Sequence, residues 1–377
     1  MNIRFFTTLD ELRPYAADWD RLAAGVPFRG WAWVSTWWNI YGPEQETSHA
    51  QDRLFVFGVF DTTGRLVGLT PWYVKESRAR GRVVRPLGSG EVCSDYLSVF
   101  CQRGLEGQVA ESLAERLTEM ANGDGSPQCW DLLELTGFDA EDRATNCLLR
   151  EMEERGNWID CRPGPNCWRI ALPETWDDYL AMLSKNRRKQ IRRLQRDWLD
   201  TGRAVLHNVQ QRSDLNEGLS VLVDLHQKRR RSLGEPGCFA SKKFDRFHRE
   251  VMPRLLSAGQ LRLSWLELDG RPAATEYQLG GQGVIYAYQG GLAPELAEQA
   301  PGTLITAATL RQAIERGYRV FDFLRGDEPY KAYWQAKPRE SLEARIVPDR
   351  TDARWRHNLW RTGSQVKRWI KVVTNRE

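Results

Sequence analysis

The sequence predicts an α/β fold, α+β in detail, in which one supersecondary unit occurs twice. Three observations carry that expectation. At 377 residues the chain exceeds what one ordinary core holds, so two domains are expected. Two distant stretches, 54–74 (LFVFGVFDTTGRLVGLTPWYV) and 261–279 (LRLSWLELDGRPAATEYQL), share a pattern. Each reads as a β-run, a tight Asp/Gly turn carrying Gly-Arg, and a second β-run. Each is then followed by a strand, a helix and another strand, so the same unit recurs. Two unrelated hairpins remain the alternative reading.

In chain order, the Trp/Tyr-rich segment 31–41 (WAWVSTWWNIY) comes first. Its cluster of Trp31, Trp33, Trp37, Trp38 and Tyr41 reads as helix core and not as a ligand cage. The first hairpin leads to a strand at 96–100, a helix over 105–121 and a strand at 130–135. RPGPN at 162–166, with two prolines and a glycine, punctuates the chain. The domains are accordingly drawn as 1–165, 166–347 and a tail, 348–377. The second half opens with a strand at 167–172 and helices at 176–183 and 185–200. After its hairpin come a strand at 284–288, a helix at 303–316 ended by Gly317, and a strand at 320–324. In the tail, Trp355, Leu359, Val366, Ile370 and Val373 recur at helical spacing among basic residues. Docking on the protein's own surface and seating on a membrane surface or partner both fit that pattern.

Composition excludes several classes. With 41% hydrophobic and 28% charged residues the chain is globular, neither disordered nor a coiled coil. A net charge of +4 predicts no DNA partner. Seven cysteines, never spaced C-x-x-C, read as reduced thiols, and five unpaired histidines give no metal motif. No apolar run approaches a membrane span and the start lacks a signal peptide's apolar core, so a soluble, cytoplasmic protein is expected.

The most informative stretch is 283–334. Gln299-Ala300-Pro301-Gly302-Thr303 opens a helix, and such a start leaves N–H groups free at the positive end of the helix dipole, where phosphate binds. Thr303 either caps that helix or donates to a phosphate oxygen; plain structural use of Pro, Gly and Thr is the alternative. Beyond it lies FDFLRGDEPYKAYW, 321–334. Asp322 alternates with Phe321 and Phe323, so its carboxylate faces away from the rings. The strand breaks at Arg325-Gly326, and Tyr330, Lys331 and Trp334 follow. A cation, a phenol and a carboxylate at a strand end suit a reaction that develops charge on oxygen. A salt-bridged strand end with packed aromatics is the structural alternative.

The order of strand, PGT-headed helix and FDFLRGDEPYK-x-x-W resembles the tandem-domain GNAT proteins typified by CelD-like acetyltransferases of cellulose-biosynthesis loci. Those are relatives of the Fem-type aminoacyl transferases of peptidoglycan synthesis. The segments 31–41, Ser94-Asp95-Tyr96, 184–193 (SKNRRKQIRR) and 226–239 (HQKRRRSLGEPGCF) resemble the family more loosely. The resemblance implies two tandem GNAT-like domains, each a mixed, mostly antiparallel sheet flanked by helices, with the donor site in the second. It further implies a thioester donor, commonly acyl-CoA such as acetyl-CoA, with its diphosphate at the head of the Thr303 helix and no metal. Gln299, Gly302 and Thr303 stand where the family has Gln/Arg-x-x-Gly-x-Gly/Ala, but Leu304 replaces the last small residue. A bulky side chain there is able to close the diphosphate's approach. Lys331 corresponds to a lysine that supports the donor's phosphate or the oxyanion.

Acyl transfer to an amine or hydroxyl needs a polarised carbonyl, a deprotonated nucleophile and a protonated leaving group. Direct attack in a ternary complex is implied, with no Ser or Cys nucleophile. N–H groups at the exposed end of the strand, near Gln289, are candidate carbonyl binders. Arg325 joins the donor-side set. Glu276 and Asp322 are the candidate bases, each with an ion-paired strand residue as the alternative, and Tyr330 the candidate acid. Asp95 and Tyr96, and His226 with Arg230 in its basic run, are candidate acceptor groups, as is Trp334. A turn aspartate and a solvated charge run are their alternatives. Between 184 and 196, seven of thirteen residues are Lys or Arg and none is acidic. That helix suits a solvated face, an acyl-carrier protein or an aminoacyl-tRNA. Three functions follow as expectations: thioester-dependent N- or O-acyl transfer to a small molecule or glycan, aminoacyl-tRNA-dependent transfer, or a non-catalytic scaffold.

Overall fold

The computed structural model describes residues 1–42, 53–123 and 128–374, with side chains in the last helix described to 362. The chain divides into two compact units: 1–24, 41–164 and 341–377 form unit 1, and 25–40 with 165–340 form unit 2.

Unit 1 begins with strands β1 (Asn2–Phe6), β2 (Arg53–Leu54), β3 (Val56–Phe60), β4 (Leu66–Thr70), β5 (Trp72–Ser77), β6 (Gly81–Pro86), β7 (Phe100–Cys101), β8 (Leu132–Asp139) and β9 (Trp158–Pro163). Unit 2 follows with β10 (Cys167–Ala171), β11 (Ala204–Asn208), β12 (Leu261–Leu268), β13 (Arg271–Gly281), β14 (Val284–Leu292), β15 (Val320–Arg325) and β16 (Lys337–Arg339). Strand β17 (Ser341–Val347) then returns to unit 1, between β8 and β9. The helices used below are α1 (Trp31–Tyr41), α2 (Glu106–Asn122), α3 (Arg143–Glu154), α4 (Trp176–Met182), α5 (Lys185–Leu194), α6 (Leu215–Ser232), α7 (Lys242–Ser257), α8 (Pro301–Glu315), α9 (Tyr330–Tyr333) and α10 (Thr351–Thr374).

Unit 1 holds two sheets, ordered β1-β3-β4-β7 and β2-β5-β6-β8-β17-β9, over a core shared with α2 and α3. The expected continuous second strand of its hairpin is cut at Pro71, which has no N–H to donate. β4 and β5 consequently join different sheets. The strand expected at 96–100 reduces to Phe100–Cys101, because Tyr96 is left-handed with φ 60°. The segment 341–347, placed in the second domain by sequence, pairs in unit 1. Residues 25–40 belong to unit 2.

Unit 2 is one seven-stranded sheet, β11-β12-β13-β14-β15-β10-β16, in which only β14 and β15 run parallel. Its hairpin turns at Asp269 and Gly270, both with positive φ (47° and 75°), the geometry of a two-residue primed turn. Helices α4, α5 and α8 cover one face, where Phe321, Phe323 and Ile285 pack with Leu310, Tyr179 and Ile191. The other face carries Tyr277 and Tyr288, in ring contact with His248 of α7. Helix α8 ends as expected, with Gly317 at φ 76° and Tyr318 N–H returning to the Ala313 carbonyl.

Candidate functional site

The parallel ladder between β14 and β15 covers only Val284↔Val320, Ile285↔Phe321 and Tyr286↔Asp322. Both strands continue past it, β14 to Leu292 and β15 to Arg325, so they splay apart. A bulge in β14 between its Ala287 and Gln289 pairings with β13 bends the strand at this point. Beyond Tyr286, β14 therefore pairs in the sheet with β13 alone. The far end of β14 meets the start of α8. A Cβ added to Gly302 would lie 3.4 Å from both Leu292 methyls, an ordinary contact.

The start of α8 is shaped by Ala300, left-handed at φ 53°, followed by Pro301. Thr303 and Leu304 N–H groups both turn back to the Ala300 carbonyl, at 3.0 and 3.1 Å. Gly302 N–H, one position earlier, has no carbonyl of its own helix to reach. Thr303 does not cap the helix, because no side-chain cap is made. Leu304 is buried against Leu194, Leu266, Leu268 and Ala274, so its side chain points into the core and does not close the helix start. Gln299 presents Oε1 as a buried acceptor with no partner among the described residues.

Glu276 stands on β13 opposite Gly290, which has no side chain to cover it. Its carboxylate accepts from Thr306 Oγ1 at 2.8 Å, from Thr309 Oγ1 at 3.1 Å and from Gln278 Nε2. These donors are neutral. Burial, the largest influence, outweighs them and pushes the Glu276 carboxyl above the ordinary range. Tyr330 on α9 lies close enough for the Glu276 charge to act on it. Burial of its hydroxyl end, then Glu328 and Glu276, push the phenol well up, although 48% of the residue is exposed. Its ring meets Phe323 edge-on at 5.9 Å. A carboxyl held ready to take a proton and a phenol that keeps its own thus occupy one side of the splay.

The motif between β15 and α9 is a locked turn. Leu324 and Gly326 adopt positive φ (58° and 114°), which places three consecutive carbonyls around one point. Lys331, 1% exposed, fills it: Nζ donates to the carbonyls of Leu324 (3.1 Å), Arg325 (2.9 Å) and Gly326 (2.9 Å) and pairs with Glu328 at 2.8 Å. An ammonium has three protons, so all are committed to the protein. Asp322 accepts from Leu324 N–H at 2.8 Å and pairs with Arg169 of β10 at 2.6 Å. It lies on the sheet face opposite Phe321 and Phe323, hence opposite Glu276. Asp327 accepts from Trp168 Nε1 and Asn166 Nδ2, at 3.0 and 3.2 Å. The two sequence candidates Asp322 and Lys331 therefore hold the turn that carries Arg325 and Tyr330, and neither is aimed into the splay.

Other expected site residues are placed elsewhere. Trp334 is 3% exposed in the core, under the Arg187 guanidinium at 4.4 Å, with its carbonyl accepting from Tyr179 Oη. His226 is 1% exposed; its Nδ1 faces Gln227 Oε1 at 3.2 Å and its Nε2 faces Cys238 Sγ at 3.4 Å. Burial first, and Arg230 after it, lower the imidazole against the hydrogen bonds of Gln227 and Gln289. A buried imidazole lowered in this way suits packing against Gly291, where α6 crosses β14, better than clamping an anion. Arg230 pairs with Glu235 at 2.7 Å. Asp95 and Tyr96 are buried in unit 1, at 2% and 3% exposure. Sequence reasoning missed Thr306, Thr309 and Gln278 around Glu276. Their only signal was a pair of threonines three apart on a helix face otherwise apolar.

Residues 185–332 match the model of the acetyltransferase (GNAT) domain. The whole chain is similar in structure to FemX, with a TM-score of 0.64 at 11% identity over 91% of this chain and 97% of that one. L-PGS from Bacillus licheniformis gives 0.52 at 11% identity over 96% and 97%. A tandem GNAT protein from the clavulanic acid biosynthesis pathway gives 0.42 at 13% identity over 92% and 98%. No curated protein matches the sequence. This is the GNAT acyltransferase fold. Within it, the splay of β14 and β15, the head of α8, Glu276 and Tyr330 form the candidate centre. Among the described residues no cluster of His, Cys, Asp or Glu could hold a metal ion, and no helix is long and apolar enough to cross a membrane.

Proposed function

We propose that the protein transfers an acyl group from a thioester, carried on CoA or on an acyl-carrier protein, to an amine or hydroxyl of a small molecule or glycan. The observation that carries this reading is the end of the β14–β15 ladder beside the head of α8. The β14 backbone beyond the ladder suits the amide-bearing arm and the carbonyl of a thioester, and the Gly302 amide at the positive helix end suits a phosphate. In this reading Glu276 takes the proton from the nucleophile as it attacks the thioester carbonyl. Tyr330 returns a proton to the departing thiolate, and no covalent enzyme intermediate forms. Lys331 and Asp322 act as positioning residues for Tyr330. The narrower CelD-like likeness rests on the 321–331 motif.

The basic helix α5 favours a second reading. Arg187 and Arg188 are spent on Trp334 and on the Ala181 and Leu183 carbonyls, but among the described residues Lys185, Lys189 and Arg193 make no ion pair. Three such cations on one short helix suit an anionic donor such as aminoacyl-tRNA, as the Fem-type resemblance implies. A melting assay with CoA, several CoA thioesters and aminoacyl-tRNA separates the two. Thermal stabilisation by thioesters supports the first reading. Stabilisation by aminoacyl-tRNA alone, lost when Lys185, Lys189 and Arg193 are neutralised, supports the second and overturns the first.

A further inference from the structure

A second cluster of reactive side chains stands where α6 gives way to the loop before α7. Its members are Gln227, His226 and Cys238, and their protons follow from the contacts in turn. The Pro236 carbonyl only accepts, so the Gln227 Nε2 that meets it at 3.0 Å donates, and Gln227 Oε1 is left facing the ring. Oε1 likewise only accepts, so His226 Nδ1, 3.2 Å away, carries the proton of the neutral ring. Nε2 is then an acceptor, and Cys238 Sγ at 3.4 Å gives it the thiol proton. Carboxamide, imidazole and thiol in this order make an activated cysteine: a nucleophile within reach of a base that a third group orients.

The surroundings hold the relay in place. Gly237, at φ 73°, lies against the Gln227 amide, and a Cβ there would stand 2.1 Å from Oε1. Only glycine lets the chain approach so closely in that conformation. The Phe239 ring meets the imidazole edge-on at 5.2 Å. Burial, the largest influence on His226, keeps the ring neutral at rest. Gln227, and Gln289 of β14, favour the protonated form that the ring takes when the thiol ionises. Cys238 is in no disulfide and is partly exposed, and residues 233–236 beside it are exposed, so the cluster opens on solvent.

We propose that Cys238 is a modification site that forms a mixed disulfide with low-molecular-weight disulfides, with His226 as its base. The thiol proton passes to His226 Nε2 as Sγ attacks one sulfur of the reagent. A new S–S bond forms, the old one breaks, and the departing thiolate takes the proton back from Nε2. The reagent supplies the oxidation: one of its sulfurs leaves as a thiol while Cys238 is oxidised. Charge falls only on the leaving sulfur, so the step needs a base and no donor for an oxyanion, unlike capture of an acyl group. This inference does not depend on the acyl-transfer reading.

The test is incubation of the full, reduced chain with glutathione disulfide at neutral pH, with mass mapping of every cysteine over time. An ordinary thiol is only about 3% ionised there, so help from the base should make Cys238 react at least about tenfold faster than the exposed Cys93 and Cys161. Dithiothreitol should restore the original mass, and Cys238→Ser should remove the adduct. His226→Asn should slow it about tenfold or more, and Gln227→Leu, which keeps the imidazole but not its orienting acceptor, should slow it as well. A melting scan of each variant reports whether it folds. Reaction of Cys238 no faster than that of Cys93 and Cys161 overturns the proposal whether or not the variants fold. So does a folded His226→Asn chain that reacts as fast as the wild type, or an adduct that dithiothreitol does not remove.

Discussion

Replacing Lys331 by Met tests whether this ammonium acts on the substrate or on the chain. The side chain is 1% exposed and satisfies three carbonyls at 2.9–3.1 Å, so its loss strands three acceptors. A buried acceptor left without its charged donor costs about 1–3 kcal/mol. The Leu324 carbonyl is buried, while those of Arg325 and Gly326 are partly open to water and recover some solvation. Glu328, half-exposed, rehydrates at little cost. The sum is about 3–5 kcal/mol, the scale of breaking a buried ion pair. For a unit of this size that lowers the melting midpoint by about 6–20 °C. Tyr330 sits next to Lys331 on the released turn, so turnover should fall together with stability. A double-mutant cycle reads the route: once Tyr330 is replaced by Phe, Lys331→Met should cost little further in kcat. An unchanged melting midpoint, with Lys331→Met costing the same loss of kcat with or without Tyr330→Phe, would refute this reasoning and place the ammonium on the substrate.

Three further outcomes are expected. Glu276 has a raised folded pKa, so its neutral form is the one folding favours: the stability it lends is full below its ordinary value of 4.5 and is lost as pH rises through the folded value. As a base it must ionise, so kcat/KM should climb with pH through that same raised value; Glu276→Gln should abolish the ascending limb and raise stability at neutral pH. Asp322→Asn breaks the ion pair with Arg169 and should cost about 3–5 kcal/mol in chemical denaturation while leaving the pH profile of kcat/KM in place. If the ascending limb vanishes with Asp322→Asn and survives Glu276→Gln, the base has been misassigned. In unit 1, burial would raise Glu134, but Arg85, Arg80 and Arg345 outweigh it and hold it low. Its contribution is therefore present above 4.5 and lost as pH falls through the lowered value. Glu134→Gln should cost about 2–4 kcal/mol at neutral pH and flatten the acid arm of the stability curve.

Local pattern and chemistry made much of unit 2 legible. The alternation of LRLSWLEL and an Asp-Gly pair place the hairpin, because Asp269 and Gly270 accept the positive φ that a primed turn requires. Pro301 and Gly317 bracket α8 for equally local reasons. What sequence could not show is long-range. Arg169 and Asp322 are 153 residues apart, so Asp322 resembled a free carboxylate. Lys331 resembled a free cation because only the turned backbone of 324–326 reveals its three acceptors. The capture of Ser341–Val347 by unit 1 depends on edges offered by β8 and β9, which no local periodicity reports. Trp334 and His226 have polar or aromatic groups that suit ligands, yet their burial decides for packing.

The account rests on the backbone of β14 beyond its ladder with β15 and on the head of α8. Amide hydrogen exchange reads them directly. With a saturating CoA thioester, amides between Ala287 and Gln289 and at Gly302 should exchange markedly more slowly, while those of β12 remain as they were. Unaltered exchange at both segments, with a thioester demonstrably bound elsewhere on the chain, would contradict it.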